Sequence, residues 1–231
     1  MTPIVLLHGA IGSSKQMLPL KTELEKVFSD VHVFDFPGHG GKAFPAAPFS
    51  ISLFSKSVVK WMDENNFQKV SIFGYSMGGY VALDIARHYP ERVEKIFTLG
   101  TKLDWDYFIA QDMVKMIDTE KIVQRAPVLA EALRKMHEPN DWKQVLHYTT
   151  EMFLELGNNP VLTENDFGQI RQEIILGLGD TDRVVTQEET IHAANLITNA
   201  SFQLFTDTAH AIEQSNLAEI RTKAFEFFGK E

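Results

Sequence analysis

Short apolar runs alternate with amphipathic stretches along most of this 231-residue chain, and this alternation constrains its fold more than any other feature. The runs are almost continuous in Val, Ile, Leu and Phe, which is typical of strands covered by helices on both faces. Repeated strand–helix units of this kind predict an α/β fold around a parallel sheet. We expect strands over residues 4–7, 31–35, 70–74, 93–99, 173–178 and 202–205, and helices over 15–28, 51–65, 77–88, 188–197 and 213–228.

The alternation stops between the fourth and fifth predicted strands, where apolar residues recur only at helical spacing. Three prolines in this segment mark expected helix ends, because proline is poorly tolerated inside a helix. We therefore expect residues 1–102 and 169–231 to form an α/β core. Residues 103–168 are expected to form a helical cap inserted into that core, not an independent domain.

Composition and charge exclude several classes of protein. The 22 Lys and Arg against 31 Asp and Glu give a net charge of −9, and no basic block is present, which argues against a nucleic-acid partner. No apolar run is long enough to span a bilayer, and the first residues are too short and uncharged for a signal peptide, so we expect a cytoplasmic protein. With 0 cysteines, thiolate metal ligands and cysteine nucleophiles are excluded, and the chemistry depends on Ser, His and carboxylates.

The sequence G-Y-S-M-G-G at residues 74–79 joins a predicted strand directly to a predicted helix. The pattern G-x-S-x-G is common by chance, but this context is typical of a serine on a sharp, strained turn with its hydroxyl exposed. The alternative is that Ser76 only caps the helix while the glycines make the turn. The strand before it and the helix after it favour a nucleophile.

Two further segments follow the first two predicted strands: H-G-A-I-G-S at residues 8–13 and D-F-P-G-H-G-G-K at residues 35–42. Together with residues 74–79 they resemble, in the same order, motifs of the α/β-hydrolase superfamily. Lys42 stands where that family usually has a small residue. The resemblance implies an α/β-hydrolase fold with Ser76 as its nucleophile.

The resemblance also implies roles for the loops around the serine. The backbone N–H groups of Ala10 and Met77 would form the oxyanion hole, which stabilises the negative charge of a tetrahedral intermediate. His8 and His39 would hold the turns beside the site through hydrogen bonds. His137, in the predicted cap, is a candidate for lining a pocket.

The other catalytic groups are expected on late loops, in the family's order of serine, acid and histidine. His210 follows the last predicted strand and is the predicted general base, although the proline that usually follows it is missing and the glutamate stands one position early. The sequence G-D-T-D-R-V-V resembles the family's acid loop and places the acid at Asp182. Asp180 is an alternative, as are Asp104 and Asp106 after the preceding strand.

The cap is expected to lie over the serine and shape the substrate pocket. Trp105, Met152 and Phe153 are predicted wall residues, together with Met77; alternatively, they only fasten the cap to the core. So many aromatic and Met side chains in a short cap favour a small or medium hydrophobic substrate. A small-molecule ester is therefore the expected partner, and an oligomer is not required.

These residues predict a cofactor-independent, metal-independent serine hydrolase of the carboxylesterase type, acting through an acyl-enzyme. The same triad also supports C–C bond hydrolysis, lyase elimination or perhydrolysis. A hydrolase-fold ligand receptor with slow turnover is an alternative of another class. Fold analogy does not separate these hypotheses, because function depends on the pocket.

The family usually has two strands before the one that ends in His-Gly, but only seven residues precede His8. We therefore predict a six-stranded, all-parallel sheet without those two strands. The strand over residues 31–35 would then lie at an edge of the sheet.

Overall fold

Six parallel strands form the centre of the structure, a computed structural model in which residues 2–229 are described. Their order across the sheet is β2-β1-β3-β4-β5-β6, so β2 lies at one edge. The predicted number and direction of the strands and the edge position of β2 are confirmed for these residues. The strands are β1 (Ile4–Leu7), β2 (Val31–Phe34), β3 (Val70–Tyr75), β4 (Val93–Leu99), β5 (Glu173–Gly179) and β6 (Ala200–Phe205).

Helices cover both faces of the sheet. On one face α1 (Leu18–Leu24) packs against α10 (Leu217–Phe228), and on the other lie α2 (Ile51–Glu64), α3 (Met77–His88) and α9 (Gln187–Leu196). Side chains of β1 alternate between two buried apolar clusters, because successive residues of a strand point to opposite faces. Burial on both faces explains why β1 has no polar residue.

Five helices lie between β4 and β5, in the segment for which a cap is predicted. They are α4 (Tyr107–Met116), α5 (Thr119–Arg125), α6 (Pro127–His137), α7 (Trp142–Asn158) and α8 (Glu164–Phe167). Helices α4 and α7 pack so closely that a Cβ on Gly157 would lie 2.4 Å from the Cβ of Ala110. The buried apolar residues of α6 and α7 belong to the same cluster as those of α2 and α3. The inserted helices therefore share their core with the sheet.

Three predicted elements have boundaries that are wrong by two or more residues. The helix predicted over 15–28 is a 3-10 turn (Ser14–Met17) followed by α1, because Pro19 lies in the first turn of α1 and has no N–H for a helical bond. The last helix begins at Leu217 rather than 213, since the Asn216 side chain accepts a hydrogen bond from the Glu219 N–H and caps it. Strand β6 begins two residues earlier than predicted, at Ala200.

Candidate active site

Ser76 occupies the turn between β3 and α3 with φ of 50° and ψ of −119°. A positive φ is rare for a residue other than glycine and stores backbone strain. Its side chain makes no capping hydrogen bond to α3. A Cβ on Gly78 would lie 2.4 Å from the carbonyl oxygen of Leu7, so only glycine lets α3 approach β1 this closely. The turn therefore leaves the Ser76 hydroxyl free for other contacts.

His210 lies in the loop between β6 and α10 and contacts both Ser76 and Asp182. Its Nε2 is 3.3 Å from the Ser76 Oγ, and its Nδ1 is 2.8 Å from Oδ2 of Asp182. Because a carboxylate only accepts hydrogen bonds, the proton of the neutral imidazole is on Nδ1. Nε2 is then free to accept the hydroxyl proton. The structure thus brings the three predicted residues into one contiguous set.

The Asp182 carboxylate is buried, with its side chain only 1% exposed. Its Oδ1 accepts hydrogen bonds from the backbone N–H groups of Val184 and Val185, at 2.8 and 2.9 Å. Burial alone raises the pKa of Asp182, but the hydrogen bond and charge of His210 and the two amides outweigh it and lower that pKa below its ordinary value. The carboxylate is therefore ionised at neutral pH.

The alternative acids lie elsewhere. Asp180 Oδ1 accepts a hydrogen bond from the Thr208 N–H at 3.1 Å and so holds the loop before His210. Asp104 is exposed and lines a separate cavity beside α9, while Asp106 caps α4 by accepting from the Ile109 N–H. Asp182 is thus the candidate acid whose carboxylate contacts the His210 imidazole.

The two predicted oxyanion amides belong to residues beside Ser76. Ala10 lies in the loop after β1, and Met77 is the first residue of α3; both line the same small cavity as Ser76. His8 Nδ1–H donates to the Gly9 carbonyl at 2.8 Å. That carbonyl belongs to the peptide group whose N–H is Ala10, so His8 sets the direction of this N–H.

A buried histidine cluster connects the loops around the site to the inserted helices. His39 donates from Nε2 to the Ala10 carbonyl at 2.8 Å. In α6, His137 accepts a hydrogen bond from the Gly40 N–H at 3.2 Å and donates from Nε2 to the Ile11 carbonyl at 3.1 Å. His137 therefore holds two turns together instead of lining a pocket, because neither cavity at Ser76 includes it.

The three buried histidines are expected to make the folded protein less stable in mild acid. Burial holds the pKa of His8 and His137 below the ordinary value and lowers that of His39 to about 4. On acidification the unfolded chain binds protons near its ordinary histidine pKa, whereas the native state does not. Each ring then lowers the free energy of unfolding by up to about 1.4 kcal/mol per pH unit below about pH 6.5.

Urea denaturation between about pH 7 and pH 5 measures this dependence. The free energy of unfolding should fall steadily as the pH decreases, and the slope should be smaller in His137→Gln, which removes one of the three protons. The exposed His147→Gln is the matched control and should keep the slope of the parent chain. A flat profile over this range would contradict the prediction.

Two cavities meet at Ser76. The smaller one, of about 20 Å³, is lined by all the predicted wall residues and by Lys102. The larger one, of about 630 Å³, extends beneath α4 and α6 and is mainly apolar. Its lining includes Met113, Met116, Leu133, Met136, Val184 and His210.

Sequence reasoning missed Tyr75 and Thr101. The Tyr75 hydroxyl donates to the His210 carbonyl at 2.9 Å, and the Thr101 hydroxyl donates to the Ser76 carbonyl at 3.1 Å. Burial raises the pKa of Tyr75, which keeps its hydroxyl protonated as a donor. Tyr75 occupies a variable position of G-x-S-x-G, and no sequence signal shows that it reaches a loop 135 residues away.

Tyr75→Phe should lower kcat for ester hydrolysis by roughly 3- to 10-fold with a small change in KM. The substitution removes the one bond that the phenol makes to the backbone of His210, so the imidazole becomes less well positioned against Ser76. Steady-state kinetics measures the effect. Tyr89→Phe, after α3, is the matched control, and equal kcat values for the two variants would show that the Tyr75 hydroxyl has no positioning role.

A serine on a strained turn between a strand and a helix of a parallel sheet is the arrangement found in α/β-hydrolases. A family model described as the alpha/beta hydrolase fold matches residues 2–138, more than half of the chain. The chain therefore belongs to the α/β-hydrolase fold family, as the resemblance predicted.

Individual relatives match only part of the chain. An abhydrolase domain-containing protein of Caenorhabditis elegans is 35% identical over 98 residues, covering 41% of this chain and 22% of that protein. A probable alcohol acetyltransferase of Wickerhamomyces anomalus is 26% identical over 156 residues, covering 67% of this chain and 44% of that protein. The chain spans less than half the length of these curated relatives.

Solved structures resemble the whole fold at low sequence identity. A thermophilic esterase from Thermogutta terrifontis has a TM-score of 0.78 at 19% identity, covering 99% of this chain and 90% of that one. The enol-lactonase from Burkholderia xenovorans LB400 also has a TM-score of 0.78, at 18% identity, covering 100% and 92%. These similarities show the fold.

Residues 2–229 contain neither a membrane-spanning helix nor a cluster of metal ligands. No helix there is both long and apolar enough to cross a membrane. In the same range, no group of three or more His, Cys, Asp or Glu side chains is placed to hold a metal ion.

Proposed function

We propose that this chain is a serine hydrolase that cleaves carboxylic esters of small to medium hydrophobic molecules. One observation carries the proposal: the Ser76 hydroxyl, the His210 imidazole and the buried Asp182 carboxylate are in sequential contact, at 3.3 and 2.8 Å. A nucleophile, a base and a group that orients the base are the parts that acyl transfer requires.

In the first half of the reaction, Ser76 Oγ attacks the ester carbonyl carbon while its proton passes to Nε2 of His210. Asp182 stabilises the imidazolium that forms. The N–H groups of Ala10 and Met77 donate hydrogen bonds to the oxyanion of the tetrahedral intermediate. The bond to the alcohol oxygen then breaks, and Nε2 returns the proton to that oxygen as the alcohol leaves.

In the second half, water attacks the acyl-enzyme carbonyl and gives its proton to His210 Nε2. The second tetrahedral intermediate breaks its bond to Ser76 Oγ, which takes the proton back from the imidazolium. The carboxylic acid is released, and the three residues return to their starting protonation states. No redox step or external electron donor is needed.

Acyl transfer to an alcohol is a second candidate, supported by the size and character of the larger cavity. This apolar cavity of about 630 Å³ lies at His210, where an alcohol could take the place of water in the second half. The Wickerhamomyces anomalus relative is named as a probable alcohol acetyltransferase. Adding ethanol or 1-hexanol to an ester assay and analysing the products distinguishes transfer from hydrolysis.

The proposal is tested by labelling with a fluorophosphonate probe, followed by peptide mapping and assays with p-nitrophenyl esters. We expect one adduct, at Ser76, and turnover that the probe abolishes. An adduct at another residue would refute the mechanism. Rapid labelling of Ser76 without ester turnover would instead favour the lyase, C–C hydrolase or receptor hypotheses.

A further inference from the structure

The two cavities at Ser76 are lined by different residues of the proposed mechanism. His210 lines the large cavity and not the small one, whereas Met77 lines the small cavity and not the large one. Ser76 and Ala10 line both. The side chains of Met113 and Phe153 also border both cavities. A bound ester would therefore have one half on each side of Ser76.

The position of His210 determines which half enters which cavity. The imidazole must return its proton to the alcohol oxygen as the alcohol leaves, so that oxygen must lie against His210. The alcohol half therefore extends into the large cavity. The acyl half, on the other side of the attacked carbonyl carbon, extends past Met77 into the small cavity.

The small cavity limits the length of the acyl group. Its volume of about 20 Å³ is a small fraction of the about 630 Å³ of the large cavity, so it has room for a short chain only. Ile51, Tyr80 and Leu156 form part of its wall and are at most 3% exposed, so the wall is rigidly packed. A chain of many methylene groups would have to displace these side chains, whereas a short acyl group would not.

The small cavity also has a polar side. Lys102 is the one charged side chain among the described residues that line it. Its Nζ lies 2.7 Å from Oε2 of Glu189, and the two side chains are only 13% and 6% exposed. Glu189 also accepts hydrogen bonds from the Leu103 N–H and from the N–H and hydroxyl of Thr186. The carboxylate is thus held in place by four donors, which fixes Lys102.

An ammonium group has three N–H donors, and Glu189 is the only acceptor within hydrogen-bonding distance of Lys102 among residues 2–229. Trp105 adds an indole N–H that is buried and meets no acceptor in the same part of the chain. The indole also borders the cavity beside α9. Lys102 is therefore the main evidence for a polar ligand in the small cavity, and Trp105 is supporting evidence. A ligand oxygen in the small cavity would give these N–H groups an acceptor.

From these observations, and resting on the proposed function, we infer that the small cavity is the acyl subsite and takes a short acyl group that carries an oxygen acceptor. Ethers, hydroxyl groups and ketones share this chemistry. Lys102 donates a hydrogen bond to that oxygen, and the apolar alcohol half occupies the large cavity. The preferred substrate class is therefore short alkoxy-, hydroxy- or oxoacyl esters of apolar alcohols.

The test compares p-nitrophenyl esters whose acyl groups have equal length with and without an ether oxygen. The pairs are methoxyacetate with butyrate, and 3-methoxypropionate with pentanoate. Each kcat/KM is divided by the rate of hydroxide-catalysed hydrolysis of the same ester, which removes the inductive effect of the oxygen. We expect a preference of about tenfold or more for the ether in at least one pair, as for a hydrogen bond to a charged donor. Octanoate should be a poor substrate.

Variants of Lys102 test whether the preference for an ether oxygen depends on the ammonium group of this residue. Lys102→Met should reduce the corrected ratio to about one, and Lys102→Arg, which keeps the charge, should retain part of it. Because Lys102→Met leaves the Glu189 carboxylate buried without its cation, the double variant Lys102→Met/Glu189→Gln provides the same measurement if the single variant does not fold. The exposed Lys135→Met is the matched control and should keep the ratio.

The outcomes separate the inference from the proposed function. Ester turnover that is unchanged in Ser76→Ala refutes the proposed function and the inference with it. Turnover that requires Ser76 but favours neither ether refutes only the acyl subsite. A preference that survives in Lys102→Met, or in the double variant where the single one does not fold, has the same consequence. Efficient turnover of octanoate also refutes it, since that acyl chain cannot fit the small cavity.

Discussion

Replacing Ser76 with alanine is expected to lower kcat for ester hydrolysis by about 10⁶-fold, the scale observed when a serine protease loses its nucleophile. The substitution removes the only oxygen that lies within reach of His210 Nε2 at this turn, 3.3 Å away. Without it no acyl-enzyme forms. The amides of Ala10 and Met77 remain, so a small residual rate above that of water is expected.

The prediction is checked with p-nitrophenyl acetate, together with circular dichroism to confirm that the variant is folded. Ser201→Ala, at an exposed position of edge strand β6, is the matched control and should keep the full rate. Labelling by a fluorophosphonate should be lost in Ser76→Ala and retained in the control. If Ser76→Ala keeps more than a small fraction of the rate, another residue is the nucleophile.

Asp182→Asn should have the second-largest effect, a loss of about 10⁴-fold in kcat. The asparagine amide can donate to Nδ1 of His210, which favours the tautomer with its proton on Nε2 and so prevents this nitrogen from accepting the Ser76 proton. The amide also carries no charge to stabilise the imidazolium. Because the hydrogen bond and charge of His210 and the two backbone amides lower the pKa of Asp182 in spite of its burial, its charge is present throughout the neutral range.

Asp180→Asn and Asp104→Asn are the controls, since both residues were alternatives for the acid. We expect neither to approach the loss caused by Asp182→Asn, because Asp180 contacts the Thr208 N–H and Asp104 is exposed. Kinetics and thermal unfolding are measured together, so that a loss of folded protein is not counted as a loss of kcat. A loss of about 10⁴-fold in Asp104→Asn instead would assign the acid to the loop after β4.

The sequence predicted the sheet well because each strand carries its own signal. Residues 4–7 and 174–178 are apolar at every position, and this pattern depends only on local composition. The turn at Ser76 was predicted for a similar reason, since its glycines and the adjoining strand and helix are neighbours in the chain. Helix starts were less accurate, because a single cap such as Asn216 moves a boundary by several residues.

The surroundings of the candidate site were harder to predict. Sequence order proposed His210 and Asp182, but only the fold shows that they lie 2.8 Å apart, with Asp180 turned to the backbone. The contact of His137 with the Gly40 N–H and the pairing of Lys102 with Glu189 join residues 97 and 87 positions apart. No local pattern marks such pairs, since any polar residue at either position would look the same in the sequence.

By itself, then, the sequence determined the strand–helix order, the parallel sheet and the strained serine turn, because periodicity and turn chemistry act over a few neighbouring residues. The tertiary structure decided which acid faces His210, which histidines hold the loops, and that two unequal cavities meet at Ser76. These properties arise where the carboxyl ends of the parallel strands meet at one edge of the sheet and the inserted helices lie beside them. They depend on distances between segments far apart in the chain, which packing sets and local sequence does not encode.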